Sequence, residues 1–132
     1  DNLGNIGYQA AVALPVRKDK TPFIGARVLD GTSSAYDRES GKLASIKELA
    51  RSVNPKKGYI VTANNRQTSD NVKFDHGASH ISTARSRRIN EIIEQGISNG
   101  KKFTVEDMNA IQLDLIDVDA RETYPLMVSI AR

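Results

Sequence analysis

Two adjacent carboxamides, Asn64 and Asn65, close the run Gly58-Tyr59-Ile60-Val61-Thr62-Ala63 and are the side chains best suited to chemistry. An asparagine NH2 is a neutral donor, and one held at the end of an extended segment can stabilise a developing oxyanion by about 3 kcal/mol. The same residues favour left-handed backbone, and on local pattern alone a plain turn is the stronger reading. Arg85-Ser86-Arg87-Arg88 stands at the start of an expected helix. Cations there oppose the helix macrodipole, and for Arg85 two readings stand level: compensation by a carboxylate partner, a buried anion or a substrate group, or a solvated cation in loose surface pairs. Arg85 and Arg87 diverge by about 200° around a helix, so the three arginines cannot serve one pocket. Arg87 and Arg88 read as solvated cations in loose surface pairs.

His76 and His80, beside Asp75, have a superficial metal-ligand spacing. No glutamate completes a zinc-hydrolase pattern, and Gly77 and Ser79 disfavour the helix such a pattern needs. Asp114, Asp117, Asp119 and Glu122 fall near helical spacing without the glycine of a calcium loop. They read as an exposed or pairing face, one member of which could serve Arg85. The chain shows no Ser-His-Asp order, no phosphate-cradling glycine loop and no aromatic platform for bases. It holds no convincing nucleophile of its own.

The elements that must carry these residues are of two kinds. Asp1 to Asn5 is turn chemistry, after which Ile6, Tyr8, Ala10, Val12 and Leu14 alternate with small residues, predicting a strand covered on both faces. Pro15 is expected to end it. Asp30-Gly31-Thr32-Ser33-Ser34 is a turn, and Leu43 to Val53 has the spacing of a short helix. Asn54 to Gly58 breaks structure before a second expected strand, Tyr59 to Ala63. The last third is helical. Ile89, Ile92, Ile93 and Ile97 form one stripe of a helix from near Arg85, with Gly96 and Gly100 as places to stop. Thr104 and Asp107 fit a capping box, followed by Val105, Met108, Ile111 and Leu115 as an expected buried stripe. A third helix is expected from Asp119 to Arg132, interrupted or kinked near Pro125.

Composition narrows the classes. The 132 residues suffice for one modest core, and 39% hydrophobic with 27% charged residues is ordinary for a globular chain. Nineteen Lys and Arg against sixteen Asp and Glu give a formal charge of +3, short of the positive field of a dedicated nucleic-acid binder. The absence of cysteine excludes disulfide scaffolds, thiolate zinc sites and cysteine nucleophiles. No apolar run approaches the roughly 20 residues of a membrane helix.

In order and spacing these pieces resemble the penicillin acylase (penicillin amidase) family of N-terminal-nucleophile amidohydrolases. The shared words are Asp1-x-x-Gly4-Asn5-Ile6-Gly7-Tyr8, Pro22-x-x-Gly25, Asn54-Pro55-x-x-Gly58-Tyr59-Ile60-Val61-Thr62-Ala63-Asn64-Asn65 and Ala84-Arg85-x-Arg87-Arg88-Ile89. Thr104-x-Glu106-Asp107-Met108 and Ile111-Gln112-x-Asp114 complete them. The agreement covers nearly the whole chain and is poorest between Ala26 and Val53. There Asp37-Arg38-Glu39-Ser40-Gly41 lacks the tryptophan usual in the family, and Leu49-Ala50-Arg51 stands where a proline is common.

The resemblance implies an α+β segment, 1–132, from the middle of a β subunit and not a complete domain. Strands and loops would fill 1–65, a loop 66–84 and helices 85–132, all within a four-layer αββα sandwich. It implies amide hydrolysis through an acyl-enzyme on an N-terminal serine freed by autocatalytic cleavage and supplied outside this segment, which alone would be inactive. Asn64 would be the oxyanion-hole donor and Arg85 the arginine supporting the site, with Asn65 and Gly58 to Thr62 shaping the strand that places Asn64. The partners implied are the α subunit, the serine-bearing part of the β subunit and a small-molecule amide, with no membrane and no nucleic acid. No cofactor is required. Structural calcium is allowed, mainly through residues elsewhere, with Asp75 as a loose candidate here. Family-like placement would be extracytoplasmic. The alternative is a non-catalytic, acylase-derived structural chain in a larger assembly.

Overall fold

Asp1 builds the first turn, because its carboxylate can satisfy amides that no strand yet takes up. Its Oδ1 accepts from the Leu3 and Asn5 N–H groups at 2.9 and 2.8 Å, while Gly4 takes a φ of +83° that favours glycine. A computed structural model describes residues 1–19, 21, 27–68, 74 and 83–131. The chain divides into two compact units, Asp1–Ile60 with Arg66–His80 and Val61–Asn65 with Ile81–Arg132. The first is built of ribbons and the second of helices, which makes the fold α+β.

The ribbon unit holds four short strands, β1 (Gly7–Gln9), β2 (Pro15–Arg17), β3 (Arg38–Leu43) and β4 (Arg51–Val53). β1 pairs antiparallel with β4, Tyr8 opposite Ser52, and β2 pairs antiparallel with β3, Pro15 opposite Leu43. The long strand expected over 6–14 is thus broken. Ala11, Val12 and Ala13 are exposed, so neither face is covered there, and the ladder lapses between β1 and β2. Pro15 opens a strand instead of ending one, a position where its missing N–H costs no ladder bond. Leu43 to Val53 is not an α-helix. Ser45 and Glu48 cap a single 3₁₀ turn, Ile46–Glu48, and the buried Leu49 leads into β4.

Tyr59 to Ala63 also departs from expectation, having no strand pairing. After Gly58, at a φ of +77°, the alternation of an extended chain persists: Val61 and Ala63 are buried, Thr62 and Asn64 exposed. Val61 and Ala63, which belong to the helical unit, are buried without joining a ladder.

The helical unit contains α1 (Ala84–Ser98), α2 (Val105–Gln112) and α3 (Val118–Ile130). α1 runs past Gly96 and stops at Gly100, whose φ of +72° allows the Gly100 and Lys101 N–H groups to reach Ile97 O and Gly96 O, each at 2.9 Å. Gly96 serves packing, because a Cβ there would lie 2.9 Å from Cε2 of Phe103. The capping box on α2 forms as expected, Thr104 N donating to Asp107 Oδ2 at 2.9 Å. Its expected buried stripe does not form: Val105, Met108 and Leu115 are exposed, and α2 ends before Leu115. Ile97 is likewise exposed, whereas Ile89, Ile92 and Ile93 are half-buried. α3 begins at an Asp117 cap, runs through Pro125 without interruption and packs on α1; its Val118 is fully buried.

Candidate functional site

Asn64 sits where the buried Val61 and Ala63 anchor the backbone, and it adopts a φ of +60°. That is the turn geometry asparagine tolerates. The Asn65 Oδ1 reinforces it by accepting from Ala63 N at 2.9 Å. Arg85, in the first turn of α1, donates from Nη2 to Asn64 Oδ1. A guanidinium has only donors, so the carboxamide must turn its oxygen towards Arg85 and its NH2 away. Among the described residues nothing accepts from that NH2, and both side chains are exposed. The two residues singled out in the sequence are therefore together. The partner of Arg85 is a neutral amide and not one of the downstream acids.

Those acids belong to the other two arginines. Arg88 presents Nε and Nη2 to the two carboxylate oxygens of Asp114, at 2.8 Å each, with the side chains only 21% and 19% exposed. This two-pronged pair replaces the loose contact expected of Arg88. Arg88 Nη1 also reaches Glu91 at 3.4 Å, and Glu91 accepts from Arg121 at 2.6 and 3.1 Å. Arg87 bonds Glu122 and, at 3.3 Å, Asp119, while Asp117 is spent on the cap of α3.

The charge states follow from these bonds. The Arg88 guanidinium holds the Asp114 carboxyl below the usual carboxylate range, and Arg121, then Arg88, do the same for Glu91. Asp114 raises the Arg88 guanidinium in turn, and Glu91 raises Arg121. Sequence reasoning noted the acidic series but did not assign its members. The usable signal was the macrodipole conflict, since three cations at a helix start demand three acidic or neutral acceptors.

Among the described residues no group of His, Cys, Asp or Glu could hold a metal ion. Asp75, His76 and His80 lie outside the described residues, as do Pro22 and Gly25. No described helix is long and apolar enough to cross a membrane.

The arrangement offers one chemistry: a neutral NH2 donor, backed by a cation, at the end of an anchored segment. No curated protein matches the chain. The family model described as Penicillin amidase matches residues 1–132. That match spans the whole sequence, so the chain belongs to the penicillin amidase family and is acylase-like amidohydrolase in kind.

Proposed function

We propose that this chain supplies the side-chain oxyanion donor of an amide hydrolase working through an acyl-enzyme. The observation that carries the reading is the orientation of Asn64, with Oδ1 held by Arg85 and the NH2 left to donate. In this reading an N-terminal serine, on a segment outside these residues, attacks the scissile carbonyl of a small amide. The serine proton passes through its own α-amino group to the leaving nitrogen. Asn64 Nδ2 donates to the tetrahedral oxyanion, the C–N bond breaks, and water then releases the acid from the acyl-serine. Arg85 is a positioning residue that fixes and polarises the carboxamide. The two units would form part of a four-layer αββα sandwich, and the partners would be the α subunit and the serine-bearing part of the β subunit.

The test is Asn64→Ala in the full enzyme. A donor that matters mainly in the transition state predicts a kcat loss of about 10²- to 10³-fold with KM nearly constant. Equal damage to both constants would overturn the role. Unchanged kcat, or no amidase activity in the parent enzyme, would favour the non-catalytic structural alternative. Arg85→Ala should impair turnover, whereas Arg87→Ala should be mild because its partners Asp119 and Glu122 are themselves well exposed. The reverse ranking would show that Arg85 does not support the site.

A further inference from the structure

The start of α1 lacks what normally holds a helix end. Thr83 makes no side-chain cap bond and the first turn carries no acid, while Arg85, Arg87 and Arg88 place three cations against the positive end of the dipole. That end gains nothing from a Thr83 cap or a first-turn acid, and Arg85 lies in its first turn. Local restraints there include the Ser86 Oγ and Arg87 N–H bonds to Thr83 O, both 2.8 Å. The strong restraint comes from the segment between α2 and α3, where Asp114 grips Arg88 by both prongs. Asp114 is itself held, its Oδ1 accepting from Ile116 N at 3.2 Å. Arg88 stands three residues beyond Arg85, so fixing its guanidinium in distance and plane fixes the turn that carries Arg85.

We infer that Asp114 is a positioning residue for the site: by clamping Arg88 it holds the start of α1 and so keeps the Arg85 guanidinium on Asn64. The inference rests on the oxyanion reading of Asn64. Asp114 touches neither Asn64 nor Arg85, and it acts through one turn of helix.

The experiment is a double-mutant cycle in the full enzyme, with kcat expressed per site titrated by a sulfonyl fluoride. Asp114→Asn keeps the shape but loses the charge that grips Arg88, and should lower kcat about five-fold with KM unchanged, within the range of coupled neighbours. Asp114→Glu should restore most of that loss. In an Asn64→Ala background Asp114→Asn should cost less than about two-fold, since the carboxamide it positions is gone. The same factor in both backgrounds, or a fall only in the number of titratable sites, would overturn the inference. If Asp114→Asn yields no titratable sites, Arg88→Gln removes the same fork from the other side and is read by the same criteria. Full kcat in Asn64→Ala alone would sink the oxyanion reading, a result separate from a failed coupling.

Discussion

The ribbon unit and the helical unit spend their polar side chains differently. In the ribbon unit many of them bind backbone, beside local pairs such as Lys42 with Glu39: Asp1 takes the amides of Leu3 and Asn5, Asp30 that of Thr32, and Asn54 Oδ1 that of Ile6 at 2.9 Å. In the helical unit charged side chains also bind one another across elements, Arg88 with Asp114, Arg121 with Glu91 and Arg87 with Glu122. The cause is backbone accounting. Strands of three to six residues in two-stranded ribbons leave many amides to be met by side chains, whereas helices satisfy their own interior. Side chains freed in this way can build a network, and the Asn64–Arg85 pair lies in the unit that has one.

The largest stability effect should come from the helical unit's apolar anchor and not from its charges. Among the described residues Val118 is the one large side chain that is wholly buried, so Val118→Ala should cost about 2 kcal/mol in denaturant unfolding. A loss near zero would mean that the ion pairs alone hold α3 on α1. The ribbon unit has a polar anchor in the corresponding role. Asn54 combines a φ of +44° with the Ile6 bond and a 2.7 Å bond to Asn5 Oδ1. Asn54→Ala should therefore cost about 1–2 kcal/mol, from lost bonds and a strained backbone together. Asn54→Gly relieves the backbone part and should cost less. Equal losses would assign the whole effect to the side-chain bonds.

What could be read in the sequence divides along the same line. The capping box at Thr104, the stop at Gly100 and the helix opening at Ala84 are local, each fixed by residues within a turn or two. The turn at Asn64 was legible for the same reason. The ribbons were not, because pairing Tyr8 with Ser52 is a choice among distant partners that period-2 alternation cannot make. Tyr59 to Ala63 failed in another way: alternation reports which side is buried, and Val61 and Ala63 are buried without a ladder. At the site, the macrodipole conflict drew attention to Arg85, but a neutral amide was not among the partners it suggested. The acids went to Arg87 and Arg88, a matter of how the 113–117 segment and α3 return to α1, which no spacing within one helix encodes.

The smallest effect sharpens the contrast most. Glu91 and Asp114 are lowered by cations, whereas Asp30 is lowered by the Thr32 hydroxyl, at 2.6 Å, and the Thr32 amide. All three carboxyls have folded values below their unfolded ones. The stability they contribute is thus fully present above the unfolded range near pH 4, and it is lost as pH falls through the folded values. Salt separates them. At about 1 M the screening length shrinks to roughly 3 Å, so an attraction between ions weakens while a bond to a neutral hydroxyl does not. Carboxyl titrations followed by NMR at low and high salt should show Glu91 rising most towards its ordinary value, since its pair with Arg121 is the more exposed, 38% and 46%. Asp114, sheltered with Arg88, should rise less, and Asp30 should stay in place. Equal movement of Asp30 and Glu91 would erase the distinction, because it would mean that Asp30 too is held by net charge and not by its neutral hydroxyl and amide partners.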